Sequence, residues 1–198
     1  MQDRGTGFFS FSGTFYRPDG LWEYETAIYG QWGATNWLTV GIDFHEKSDI
    51  SGHGLIFARF PLMTGWRNNY LALELAIGRH HVHENIHPMY KTTMSYGRAI
   101  EVADLPGWIA IDAALERRTD FDQEFYKLDL TAGLSADRSV NPMLKIETTY
   151  DGVNDLIWSA TPSLILRNKT GGRWVIGVER RSAYPEGIGL EIGLWRNF

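Results

Sequence analysis

The chain ends in Leu190-Glu191-Ile192-Gly193-Leu194-Trp195-Arg196-Asn197-Phe198, a stretch in which apolar residues recur at alternate positions. Leu190, Ile192, Leu194 and Phe198 share one face, and the residues between them share the other. Because successive side chains of a strand point to opposite sides of its sheet, this two-residue period indicates a β-strand with two different faces. The end of the chain is therefore predicted to be a strand that closes on an aromatic residue.

The same period recurs through most of the chain, and strong helical periodicity is absent. It predicts about twelve strands of roughly 9–12 residues, a length that suits a tilted strand crossing a bilayer. One clear example sets Leu38, Val40, Ile42 and Phe44 against Thr39, Gly41, Asp43 and His45. The sixth strand is expected to be more polar and to run from about Tyr90 to Val102.

The closing strand resembles that of bacterial outer-membrane β-barrels, whose last residue is typically Phe. The resemblance implies an all-β fold: a transmembrane up-and-down antiparallel β-barrel of about twelve strands, with residues 1–198 as one domain. It also implies a place in the bacterial outer membrane and recognition by the barrel-assembly machinery through Phe198. An even strand count leaves both termini on one side, which in this class is the periplasm. The periplasmic turns are then expected near 33–36, 64–69, 103–107, 136–142 and 168–172.

Composition narrows the function classes. The 198 residues contain no run of about 18 apolar residues, so no membrane-spanning helix is expected. The absence of cysteine excludes a disulfide framework and a thiolate metal site. A formal net charge of −5 without a basic stripe argues against nucleic-acid binding. Residues 1–4 lack the apolar core of a signal peptide, so an exported protein is expected here in its mature form.

A soluble β-sandwich or lipocalin-like barrel is the competing interpretation, with the apolar face inside. Two features favour the membrane barrel. The polar face is rich in glycine, which suits a crowded lumen better than a solvated exterior. Aromatic residues also gather near both sets of turns, as in the girdles at the two membrane interfaces. One predicted girdle contains Trp32, Trp66, Trp108 and Trp174, and the other contains Tyr16, Trp22 and Trp158.

The parity of a residue, meaning its odd or even position along the strand, decides which face of the wall it occupies. Parity assigns a set of charged residues to the lumen. Buried charges need partners or water, so the lumen is either closed by ion pairs or a narrow water-filled channel. A mild acidic excess would favour cations in an open pore. Arg173 and Arg181 share this parity. The predicted lumen residues are Glu23, Glu25, Asp43, Arg59, Glu74, Lys91, Asp112, Glu116, Lys127, Asp129, Lys145, Glu147, Glu179 and Glu191.

All six histidines gather at the end of the barrel away from the termini. His45, His53 and His80 are predicted on the inner wall of three neighbouring strands, where neutral imidazoles could bind Zn²⁺ or Cu²⁺ or form a pH-responsive mouth. His80, His81, His83 and His87 are expected in the connection between strands five and six. The alternative is that the histidines are solvated loop residues, because loop lengths blur which side chains converge. No other cofactor is expected.

Three arginines, Arg79, Arg117 and Arg180, continue the lipid-facing parity at the predicted extracellular edge. Guanidinium groups at that depth match the phosphates of lipopolysaccharide through bidentate hydrogen bonds. Ordinary snorkelling towards water, or a flared strand end, is the alternative. The expected partners are thus outer-membrane lipid and lipopolysaccharide.

The leading functional hypothesis is a narrow diffusion channel for small polar or cationic solutes. One alternative is an outer-membrane lipid-modifying hydrolase of the phospholipase or lipid A deacylase type. No His-x-Ser motif is present, and the nearest pairing is Ser51-Gly52-His53, so no catalytic residue is assigned. The other alternative is a structural or adhesive surface barrel with a sealed lumen.

Overall fold

The computed structural model describes residues 2–17, 22–48, 50–119, 123–168, 171–183 and 187–198. These residues contain twelve β-strands of 10 to 18 residues. The strands are β1 (Gly7–Tyr16), β2 (Glu23–Thr35), β3 (Leu38–Lys47), β4 (Ser51–Trp66), β5 (Asn69–Val82), β6 (Asn85–Val102), β7 (Leu105–Arg118), β8 (Gln123–Leu134), β9 (Val140–Tyr150), β10 (Ile157–Arg167), β11 (Gly172–Arg181) and β12 (Ile188–Asn197).

The strands form a closed antiparallel barrel. Each strand pairs with its neighbours in sequence, and β1 pairs with β12 from Phe8↔Asn197 to Phe15↔Leu190. Two hydrogen bonds extend this seam: the Gly7 N–H donates to the Phe198 carbonyl at 2.7 Å, and the Phe198 N–H donates to the Gly7 carbonyl at 3.0 Å. Closure leaves no sheet edge unpaired. The C-terminal stretch is therefore the closing strand, and the predicted fold class is confirmed.

The even strand count brings both chain ends to one end of the barrel, called here the terminal end. The connections that follow β2, β4, β6, β8 and β10 lie at the same end. The opposite end is called the far end. No helix in the described ranges is long and apolar enough to span a membrane.

The outer wall is apolar on all twelve strands. Large hydrophobic side chains stand exposed on each strand, for example Phe11 on β1, Ile56 on β4 and Leu190 on β12. A soluble domain rarely exposes so continuous an apolar surface. Apolar residues outside and polar residues inside are the pattern of a transmembrane barrel, so the soluble alternative is wrong.

Strands β5 and β6 are longer than predicted. They pair in unbroken register from Asn69↔Arg98 to Val82↔Asn85, and residues 83–84 alone form the turn. His83 adopts a positive φ of 52°, which a tight hairpin favours. The start of β6 near Tyr90 was therefore wrong, and so was the long connection, because polar histidines hide the two-residue period there.

Two of the predicted girdle residues face the lumen instead. Trp108 packs against an inner apolar cluster, and Tyr16 is buried with its hydroxyl donating to Glu179. Both have the same parity as inward residues of their own strands, Asp112 on β7 and Thr14 on β1, so parity overrides proximity to a turn. The other predicted girdle residues are exposed; these are Trp22, Trp32, Trp66, Trp158 and Trp174.

Candidate functional site

The lumen is the only large polar surface that the described residues enclose, and it is the candidate site. Glu25, Glu74, Glu116, Glu179 and Glu191 are all buried on the inner side of the wall. The remaining predicted lumen residues either line interior cavities or form ion pairs with other residues of the wall; these are Glu23, Asp43, Arg59, Lys91, Asp112, Lys127, Asp129, Lys145 and Glu147.

One half of the lumen is occupied by side chains. At its far end Arg181 forms a double ion pair, with Glu25 at 2.5 Å and with Glu179 at 2.8 Å. The guanidinium also lies 4.9 Å over the Tyr16 ring, and the Tyr16 hydroxyl donates to Glu179. Each buried charge thus has charge-assisted partners, which offset the cost of removing it from water. This group, called the Arg181 strut, ties β1, β2 and β11 together.

Below the strut, Lys145 lies 3.1 Å from Glu191 and 3.4 Å from Glu147. An apolar cluster then occupies the terminal end in front of β9–β12. The cluster consists of Met143, Ile165 and Val175, with Trp108 and Trp195 packed against it. Sequence reasoning missed this cluster, although the same parity that placed the charges inside also places these apolar residues inside.

The other half of the lumen is hollow. Inward-facing residues of β2–β9 line a cavity of about 550 Å³, and a second cavity of about 380 Å³ continues towards the far end. The first cavity reaches Tyr70 and Gly97 near the terminal end, and the second reaches Ser51 and His81. The two share five lining residues, which are His45, His53, Lys127, Asp129 and Glu147.

Ion pairs line the wall of the hollow half. Arg59 donates to Glu74 at 2.6 Å, and Lys91 lies 2.9 Å from Asp43. Glu116, which is 0% exposed, forms an ion pair with Lys127 at 2.8 Å. Arg59 and Lys127 pair with carboxylates of adjacent strands, whereas Lys91 on β6 reaches across to β3. Because a carboxylate holds each of these cations, they contribute little free positive charge to the cavity.

A row of three carboxylates departs from this pattern. Strand register places Asp112 opposite Asp129 and Asp129 opposite Glu147. Glu147 has Lys145 as its cation, but Asp112 and Asp129 form no ion pair with any residue that the structure describes. Asp112 accepts a hydrogen bond from the Ser95 hydroxyl. Like charges at directly opposed positions repel, so this stretch of wall is the most negative part of the cavity.

The histidines form a second row, at the far end. Register aligns His45 with His53, His53 with His80, and His80 with His87 on four adjacent strands. The His45 and His53 rings stack with centroids 5.7 Å apart. Each of these two also faces a carboxylate at 3.6 Å: Glu25 for His45 and Asp43 for His53.

The structure thus brings His45, His53 and His80 onto adjacent strands of the inner wall. Within the described ranges it shows no group of three or more histidine and acidic side chains placed to hold a metal ion. Metal binding at this row stays a prediction. His87 was missed as a member because its segment was expected to be a loop.

The three predicted lipopolysaccharide-contact arginines stand on the outer surface. Arg79 on β5, Arg117 on β7 and Arg180 on β11 are exposed at the far end of their strands. Their location therefore agrees with both snorkelling and phosphate contact, and lipopolysaccharide binding stays a prediction.

The barrel is similar to solved outer-membrane porins. The KdgM porin superposes with a TM-score of 0.64 at 10% identity, over 96% of this chain and 99% of that one. The NanC porin superposes with a TM-score of 0.65 at 8% identity, over 94% of this chain and 98% of that one. An outer-membrane channel from Pseudomonas putida F1 gives 0.59 at 11% identity, over 100% and 97%.

No protein-family model matches the sequence, and no curated protein matches it either. The structural likeness therefore stands alone, and at identities this low it shows the fold and nothing finer. That fold is the closed porin-type barrel of bacterial outer membranes, which confirms the resemblance predicted from the closing strand.

Proposed function

We propose that this protein is an outer-membrane channel for small polar or cationic solutes, with both termini in the periplasm. The observation that carries the proposal is the hollow polar half of the lumen, whose two cavities meet at shared lining residues. A twelve-stranded barrel is wider than the small barrels filled by side chains and narrower than the large porins. Such a lumen suits small hydrated solutes.

The neighbouring folds support a channel, although their solutes need not be shared. The KdgM porin has been solved in complex with oligogalacturonate, a polymer that bears a carboxylate on each sugar. On the lumen wall, Asp112 and Asp129 stand opposite each other and form no ion pair within the described ranges. Because like charges repel, the proposal favours neutral and cationic solutes over such polyanions.

The lumen-facing position of Ser51 and His53 weighs against the hydrolase alternative. Both residues line the cavity at the far end. An enzyme that cleaves outer-membrane lipids needs its nucleophile within reach of the lipid surface, outside the wall. The sealed-barrel alternative has more support, because the Arg181 strut and the apolar cluster occupy half of the lumen.

Planar-bilayer recording separates the channel from the sealed barrel. Purified protein is refolded in detergent, inserted into a bilayer and recorded in KCl at voltages of both signs. The channel predicts discrete conductance steps. Under a salt gradient it also predicts a reversal potential whose sign indicates selectivity for cations. Absence of steps from protein that shows the circular dichroism of a folded barrel would favour the sealed barrel.

The outer-surface arginines extend the proposal to lipopolysaccharide, whose phosphates would lie at the depth of Arg79, Arg117 and Arg180. The triple replacement by glutamine keeps a polar side chain and removes the charge. It is expected to lose the stabilisation that lipopolysaccharide micelles give the wild type against thermal unfolding. Phe198, at the end of the seam, is proposed to bind the barrel-assembly machinery, and its deletion is expected to slow assembly in vivo.

The histidine row is proposed as a site for Zn²⁺ or Cu²⁺ at the far end. Calorimetric titration with ZnCl₂ compares the wild type with a His45→Ala/His53→Ala variant. Metal uptake by the wild type that the variant loses would support the site. Equal heats in both would leave these imidazoles as partners of Glu25 and Asp43.

A further inference from the structure

We infer that Asp112 and Asp129 form a binding site for a hydrated divalent cation, Ca²⁺ or Mg²⁺, on the lumen wall. The inference rests on the proposed channel in one respect, since the cation would reach the site through the lumen. Binding itself can be measured without conduction. The site is distinct from the histidine row, because its ligands are oxygen atoms and it lies on β7 and β8.

The local charge balance on β7 and β8 favours a bound cation. Asp112 and Asp129 are directly opposed on adjacent strands, and Glu147 follows Asp129 in the same register. Other acidic residues on the inner wall have a cation, as Glu74 has Arg59 and Asp43 has Lys91. These two carboxylates have none among the described residues, so two negative charges stand side by side beside a cavity.

A buried hydroxyl group without a hydrogen-bond partner also lies on the wall of this cavity. Thr93 is 5% exposed and lines the same cavity as the two aspartates. Its hydroxyl oxygen has no hydrogen-bond partner among the described residues. Thr93 lies two residues before Ser95 on β6, and the Ser95 hydroxyl donates to Asp112. A buried hydroxyl is costly without a partner. The oxygen is closed off from the cavity in this conformation, so a hydrated cation beside Asp112 would supply the partner when the Thr93 side chain rotates towards it.

The ligand chemistry selects the class of ion. Carboxylate and hydroxyl oxygens suit hard cations, and two carboxylates balance one divalent charge. Mg²⁺ and loosely held Ca²⁺ commonly bind through one or two carboxylates and keep several waters. A cavity of about 550 Å³ has room for those waters. We therefore expect a weak site, with a dissociation constant of about 10⁻⁴–10⁻³ M, as in open calcium sites of extracellular modules.

The site would also set the charge preference of the proposed channel. The row continues from Asp112 through Asp129 to Glu147, which lines both cavities. A cation moving along this wall would pass from one carboxylate to the next. Each charge acting over about 6 Å of water changes the local concentration of a monovalent ion by about threefold.

Calorimetry with CaCl₂ on the detergent-solubilised barrel tests binding. The Asp112→Asn/Asp129→Asn variant removes both charges at nearly constant volume. Asp104→Asn is the matched control, because it makes the same change in the exposed turn between β6 and β7. We expect saturable heat from the wild type and the control and none from the double variant. Equal binding by all three proteins, or none by the wild type, would overturn the inference.

Two further measurements keep the result unambiguous. If the double variant does not fold, the two single variants are titrated instead; weakened binding in both supports the site, and wild-type binding in both overturns it. Reversal potentials in KCl then test the link to conduction, with about a tenfold fall in the K⁺/Cl⁻ permeability ratio expected per charge removed, because K⁺ becomes about threefold scarcer and Cl⁻ about threefold more abundant. A wild type that binds Ca²⁺ without conducting refutes the proposed channel alone.

Discussion

The Arg181 strut makes a large and specific prediction for stability. Arg181→Met removes the one cation that two buried carboxylates share, Glu25 on β2 and Glu179 on β11. The Glu179 side chain is 2% exposed, so water cannot replace the lost partner. Removing one member of a buried ion pair typically costs about 3–5 kcal/mol. Glu25 keeps Lys47 at 3.6 Å, so Glu179 is the carboxylate left without a cation among the described residues, and we expect the lower end of that range.

The assay is reversible urea unfolding in lipid vesicles, followed by the fluorescence of the 8 tryptophans. Arg167→Met is the matched control, since the Asp137 side chain that it pairs with is 93% exposed; its expected cost is below about 1 kcal/mol. Adding Glu25→Gln and Glu179→Gln to Arg181→Met should recover most of the loss, because no unpaired buried charge remains. Equal unfolding midpoints for Arg181→Met and Arg167→Met would refute the reasoning.

Three further predictions test the packing of the wall and the lumen. A Cβ at Gly41 would lie 2.2 Å from a backbone oxygen of the adjacent strand β2, so Gly41→Ala should lower the free energy of unfolding by about 1–3 kcal/mol. The nearest contact of a Cβ at Gly54 is 3.5 Å, so the Gly54→Ala variant should unfold at nearly the wild-type urea concentration. Trp195→Ala should raise single-channel conductance by thinning the apolar cluster, and Trp174→Ala on the outer wall should not; equal conductances would contradict this. Backbone N–H groups two and three residues after Asp151 donate to its carboxylate and lower the pKa of that group. The contact therefore holds at neutral pH and is lost as pH falls through the lowered pKa. Asp151→Ala should speed proteolysis of the β9–β10 loop at neutral pH, and an unchanged rate would count against the contact.

The errors made from sequence have a common cause. The strand period was read correctly where apolar and polar residues alternate, and it was lost where histidines follow one another near His80. Proximity to a turn placed Tyr16 and Trp108 at the membrane interface, although their parity placed them inside. Applied to every residue rather than to the charged ones alone, the same rule would have found both, as well as the apolar cluster around Val175.

The sequence by itself determined the barrel class, the closing strand at Phe198 and the face of the wall on which most charges lie. These follow from a two-residue period, which is a local property of a strand. The tertiary structure alone decided which charges meet. Arg181 and Glu25 are 156 residues apart, and their contact depends on barrel closure. Pairing across strands depends on register and stagger, which carry no signature in one strand. For the same reason, only the fold shows that Asp112 and Asp129 stand side by side with no ion pair to any other described residue.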